Sequence, residues 1–160
     1  MKRMISLMLL FSLFLSGCSI FEERIKDPVI FYYVRDNYQK DMESVIDSEV
    51  REASGHRHDL PYLLALYTMG PSSEGLKIPF PKGTKVSVTE HSPDGLTLSL
   101  SEAAQNISDA EHTLASACLA LTCMEMIDAD KITVVCNERS VTIHRDNLLL
   151  NDPGQITQGE

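Results

Sequence analysis

Side chains with reactive chemistry are few in this 160-residue chain, which holds four cysteines and five histidines. The tightest grouping is His56-x-His58-Asp59, where two imidazoles and a carboxylate on an extended segment would reach one ion, as zinc ligands do. Two or three ligands on a loop do not by themselves define a site, and solvated loop histidines are the competing reading. His91, His112 and His144 stand alone in the sequence. Cys118 and Cys123 lie five apart on a predicted helix, about 7.5 Å of rise and 140° of turn, beyond ordinary disulfide geometry. Cys136 could pair with one of them, but three buried thiols packing as small apolar groups is the simpler expectation. Cys18 differs from these. It closes Leu15-Ser16-Gly17-Cys18, after a positive start at Lys2-Arg3 and an apolar run from Met4 to Leu15 whose polar residues are Ser6 and Ser12. A bilayer-spanning helix needs roughly 20 apolar residues. A charged start, a shorter apolar middle and small residues before a cut site together describe a secretory signal.

Leu15-Ser16-Gly17-Cys18 resembles a bacterial lipobox. The resemblance implies that the Cys18 thiol receives a diacylglyceryl group, that the chain is cut before Cys18, and that the new amino terminus is acylated with a palmitate-type chain. Two or more acyl chains anchor stably where one is marginal. Residues 1–17 are therefore read as a signal peptide, and 18–27 as a polar tether carrying Glu22, Glu23, Arg24 and Lys26. The expected location is the cell membrane, lipid-anchored and facing outside the cytoplasm. Loss of Lys2 and Arg3 leaves 12 basic against 23 acidic residues, a charge of about −11. That field repels phosphate backbones, so nucleic acid is not an expected partner.

The elements that would position these residues are legible in patches. Pro28 to Val34 is a continuous apolar and aromatic run of strand length. Over residues 42–53, Tyr38, Met42, Val45, Ile46, Val50 and Ala53 fit helical spacing, while Ile46, Ser48 and Val50 also allow a strand. Asp59 caps a helix that tolerates Pro61 in its first turn and carries Leu60, Leu63, Leu64 and Tyr67 on one face; Gly70-Pro71 ends it. Val86 and Val88 mark a strand. Ser92-Pro93-Asp94-Gly95 is a turn in which Gly95 is expected at positive φ. Leu96, Leu98 and Leu100 then alternate with Thr97, Ser99 and Ser101, a hairpin strand with one wet face. Ser108-x-x-Glu111 is a capping box ahead of a helix from Leu114 to Ile127. One face of that helix holds Leu114, Ala117, Cys118, Leu121 and Met124. The other holds Leu119, Cys123 and Met126, to be covered either by the preceding helix or by a partner. Ile132, Val134 and Cys136 form a strand, Asn137 to Ser140 turns, and Val141 with Ile143 suggests an edge strand. Residues 151–160 are polar and expected to be disordered.

The order Leu63-Leu64-x-x-Tyr67-x-x-Gly70-Pro71, Gly75-Leu76-x-x-Pro79-x-Pro81-x-Gly83-Thr84-x-Val86 and Asp94-Gly95-Leu96-Thr97-Leu98 resembles a GerMN domain, the module of spore germination and sporulation lipoproteins. It covers roughly Val29 to Arg145. It implies an α/β (α+β two-layer) sandwich with two helices on one face of a small mixed sheet, similar to ring-building-motif domains, spanning 28–150. It also implies a strand over 43–53, which is adopted here against the helical periodicity. Characterised members of the family often carry two such domains, and often have an acidic residue near the end of the strand that here reads Leu-Thr-Leu-Ser-Leu-Ser.

No carboxylate pair stands with a His or Cys in a spacing that predicts catalysis, so no catalytic residue is expected and the chain is read as a non-enzyme without cofactor. Between Gly70 and Gly83, prolines interrupt the backbone donors that phosphate binding needs. The expected function is a non-catalytic assembly or interaction module of the envelope, in sporulation or germination, whose partner is an envelope protein or a second copy. The candidate surface is Leu119, Cys123 and Met126; the lipidation residue is Cys18; the metal candidates are His56 and His58. The alternative is a lipoprotein that recognises peptidoglycan or a small molecule.

Overall fold

The computed structural model describes residues 25–36 and 44–147, so the signal segment, Cys18, most of the tether and residues 151–160 lie outside the described residues. Within them the order is β1 (Pro28–Arg35), β2 (Ile46–Glu52), α1 (Leu60–Thr68), β3 (Leu76–Lys77), β4 (Val86–Ser92), β5 (Gly95–Leu100), α2 (Asp109–Met126), β6 (Lys131–Cys136) and β7 (Arg139–His144). The α+β class is as expected from the sequence. The strands divide between an antiparallel sheet, β2-β1-β3, and a mixed sheet, β4-β5-β6-β7.

The mixed sheet follows from its connections. Two short hairpins join β4 to β5 and β6 to β7, whereas β5 and β6 run parallel and need the long crossover that α2 supplies. Leu96, Leu98, Leu100, Ile132, Val134 and Cys136 point inward from β5 and β6 to the core. The opposite face carries Ser87, Thr97, Ser99, Thr133, Ser140 and Thr142, the wet side that strand alternation predicts.

Gly95 has a different purpose from the one expected. It is absent from the positive-φ glycines, which are Gly55, Gly70, Gly75 and Gly83. A Cβ at Gly95 would stand 2.6 Å from Lys131 Cγ and 2.8 Å from the Lys131 carbonyl oxygen. Close approach of the neighbouring strand, not turn geometry, requires the missing side chain.

Both helix starts form as their sequences dictate. Asp59 Oδ1 accepts from the Tyr62 amide at 3.1 Å, and Ser108 and Glu111 make a reciprocal capping box. The two serine hydrogen bonds hold the Glu111 carboxyl below its ordinary range. In α1, Leu60, Leu63, Leu64 and Tyr67 are buried, the stripe read from the sequence. Tyr67 sits at the centre of the domain: its ring stacks on Tyr33 at 4.7 Å between centroids and lies 5.9 Å from Phe31 and 6.0 Å from Phe80. Its hydroxyl donates to the Tyr32 carbonyl at 3.0 Å, while the Tyr33 hydroxyl donates to the Tyr67 carbonyl at 3.1 Å. Burial pushes the Tyr33 phenol up to about 12 and raises that of Tyr67 well above its ordinary value.

Six consecutive residues of α2, Cys118 to Cys123, are buried, so this helix is enclosed on nearly every side. Its neighbours are β1, β6 and β7. The Tyr32 amide of β1 donates to Thr122 Oγ1 at 3.0 Å, so the helix satisfies a strand donor that β2 does not reach. Leu119 and Cys123 have no exposure and belong to the hydrophobic core, and Met126 is half-buried against it. The expected interaction surface on these residues is therefore a core face. An all-round apolar helix shows no one-sided pattern from which its solvent side can be read. β1, rather than a partner, lies against it.

Candidate functional site

Of the segment with ambiguous periodicity, Ile46–Glu52 forms the strand β2, and its pairing explains the ambiguity. Val29, Phe31 and Tyr33 of β1 face Arg51, Glu49 and Asp47 of β2, so the core-side positions of this outer strand are charged. Glu49 is 6% exposed. Its carboxylate accepts from the Ser72 amide at 2.9 and 3.1 Å and from the Ser73 amide at 2.8 Å. Arg51 Nη1 donates to the carbonyls of Leu66 (3.3 Å) and Gly70 (3.1 Å), lies 3.8 Å from Glu49, and its guanidinium stands 5.7 Å from the Phe31 ring centroid. The pair thus satisfies backbone groups at the end of α1 and pins the turn after Gly70 to β2. Sequence inspection missed it. Opposite charges two apart in a strand share a face, and that spacing was the available signal once the segment was read as β.

The histidines are brought closer than the sequence showed. His56, His58 and Asp59 line a shallow cleft of about 520 Å³ with Gly55, Leu60, Pro61 and Ile127, and His91 of β4 joins them from 33 residues away in sequence. His56 Nδ1 lies 3.7 Å from Asp59 Oδ2, and its ring stacks on Tyr62 at 4.2 Å. Among the described residues no three His, Cys, Asp or Glu side chains are grouped so as to hold a metal ion.

His112 is 2% exposed on the first half of α2, with no hydrogen-bond partner at Nε2. Burial lowers its pKa, and the nearby Arg139 guanidinium adds to the effect. The three described cysteines are free and buried. Cys136 Sγ donates to the Ala104 carbonyl at 3.3 Å, and burial pushes the thiols of Cys118 and Cys123 up to about 12, which makes them unreactive.

Two further clefts flank β1. One of about 390 Å³, lined by Pro28, Ile30, Val50, Arg57, Glu125 and Met126, lies where the tether enters the domain, and Val50 is 49% exposed there. The other, about 590 Å³, runs between the end of β1, Ile78 to Pro81 and the start of α2. Neither brings together a nucleophile, a base and an oxyanion donor. Tyr32 is half-exposed, its hydroxyl 3.4 Å from Glu125, whereas Tyr33 is buried. No helix among the described residues is long and apolar enough to cross a membrane.

No protein-family model matches this sequence, and none of the curated proteins does. Solved structures similar to it include the tandem GerMN domains of the sporulation protein GerM from Bacillus subtilis, at 21% identity and a TM-score of 0.49. That match covers 70% of this chain and 39% of the tandem structure, so the chain spans well under half of that length. The first GerMN domain of GerM alone is matched at 15% identity and a TM-score of 0.49, over 71% of this chain and 85% of that one. A protein described as a lipoprotein from Clostridium perfringens is matched at 17% identity and a TM-score of 0.45, over 75% and 89% of the two chains.

Proposed function

We propose that this chain is a lipid-anchored protein of the outer side of the cell membrane, whose GerMN-like domain acts as a non-catalytic assembly or interaction module of the envelope. The observation that carries the reading is Cys18 at the end of Leu15-Ser16-Gly17-Cys18, after a signal-type apolar run and ahead of a polar tether. An acylated Cys18 holds the domain within the reach of ten residues, about 35 Å, of the bilayer. Confinement at a surface raises local concentration, so contacts too weak to form in dilute solution assemble. Sporulation or germination is the setting suggested by the sequence resemblance.

The test is cross-linking on the anchored protein in its own cells, followed by identification of the captured chains. An adduct with an envelope protein or with a second copy supports the reading. A chain that fractionates as soluble with Cys18 unmodified removes the anchor, and zymography of wall polymers showing cleavage by the purified chain removes the non-catalytic role.

A further inference from the structure

We propose that β7 is a self-association edge, at which two copies of this chain pair their Arg139–His144 strands antiparallel across a twofold axis. The inference rests on the assembly reading and names its partner. An outer strand exposes unpaired backbone donors and acceptors, and folds guard such edges with charges, bulges and proline. β2 is guarded by Asp47, Glu49 and Glu52. β4 is guarded by a register shift between Val88 and Glu90, by Glu90 itself and by the following Pro93. β7 lacks the bulge, the proline and the carboxylates, and its one full charge, Arg139, is held back on Asp109 Oδ1 at 3.0 Å and on the carbonyls of Ile107 and Gln105. The strand reads Arg-Ser-Val-Thr-Ile-His, without a carboxylate, proline or glycine, and pairs with β6 in unbroken register. Three of its six residues are β-branched, the type that fits a pleated surface. Among the described residues no strand pairs with its outer edge.

Charge and symmetry point to a second copy. Two cleaved chains of about −11 each repel, and no residue of β7 itself carries a carboxylate. An antiparallel edge meeting its own image is matched in length and polarity, the self-complementary contact of a twofold dimer. An axis perpendicular to the sheet leaves Ser140, Thr142 and His144 on the hydroxyl face and Val141 and Ile143 on the α2 side. The row Thr97, Thr133, Thr142, in which the last two hydroxyls already lie 2.9 Å apart, then continues into the partner. One strand pair buries less than the roughly 800 Å² per partner of a stable complex, so the contact depends on concentration at the membrane.

The test uses the full chain in its membranes, with single cysteines introduced and mild oxidation applied. Val141→Cys and Thr142→Cys report the two self-paired registers with the greatest overlap of the six-residue strand, and Ser87→Cys on the guarded β4 edge is the control. The native Cys118, Cys123 and Cys136 are buried, so the parent chain sets a low background. The expected result is a disulfide-linked dimer from one β7 variant at five-fold or more the yield of Ser87→Cys. Yields at or below the control from both variants, with unchanged circular dichroism, overturn β7 pairing. Bifunctional cross-linking of the same membranes separates the two claims. Adducts to another envelope protein alone leave the assembly reading standing, and no adducts of any kind overturn both.

Discussion

Glu49→Ala should cost the domain about 3 kcal/mol. The carboxylate is 6% exposed and accepts from two backbone amides, with Arg51 at 3.8 Å. A hydrogen bond to a charged group contributes about 1.5–3 kcal/mol, and removing one partner of a buried pair costs about 3–5 kcal/mol. Ser72 and Ser73 are exposed and regain water, and Arg51 keeps the Leu66 and Gly70 carbonyls, so the lower end of the pair-breaking range, about 3 kcal/mol, applies. For a domain of this size about 4 °C of Tm follows each kcal/mol, giving a fall of roughly 12 °C. Glu49→Gln retains an acceptor and should lose about half as much. Thermal and urea unfolding followed by circular dichroism measure both, and a double-mutant cycle with Arg51→Met should return a coupling of about 1 kcal/mol. A Glu49→Ala variant within about 0.5 kcal/mol of the parent, the range of an ordinary surface change, refutes the clamp.

Leu119→Ala should lose about 2–5 kcal/mol by leaving a cavity in the core, read by the same unfolding curves, and retention of full stability would mean the helix face is not enclosed. Gly95→Ala should cost about 1–3 kcal/mol, because its methyl group meets the Lys131 carbonyl. A stabilised Gly95→Ala variant would contradict the close approach of β6. His112, whose folded pKa is lowered by burial and then by Arg139, contributes stability that is fully present above its unfolded value of 6.5. That contribution is lost as pH falls from 6.5 through the folded value. His112→Gln should flatten this part of the stability-pH profile, and an unchanged slope would mean His112 does not cause it.

What was legible in the sequence was local. The Ser108–Glu111 capping box, the Asp59 cap and the Leu96-Leu98-Leu100 alternation each involve residues a few positions apart, and all three form. What escaped was set by partners distant in the chain. β2 looked helical because its core-side residues are Glu49 and Arg51, whose burial makes sense only against Ser72, Ser73 and the end of α1. Leu119 and Cys123 resembled a free face because periodicity cannot tell a helix enclosed by β1 and the mixed sheet from one that presents a second surface. Gly95 was read from its turn, while its cause is Lys131, and His91 reaches the His56 cleft only through the fold. Cys18 and most of the tether lie outside the described residues, so the anchor continues to rest on the sequence.

Membrane anchoring and assembly meet in one comparison: cross-linked adducts of the parent chain and of Cys18→Ser, expressed at equal levels in native cells. Adducts to a second copy or to an envelope protein that form with the parent and vanish when Cys18 is replaced, with the variant released and folded, are the predicted result. Adducts equal in kind and yield from the released variant would contradict the account, because the tether would then contribute nothing to contact.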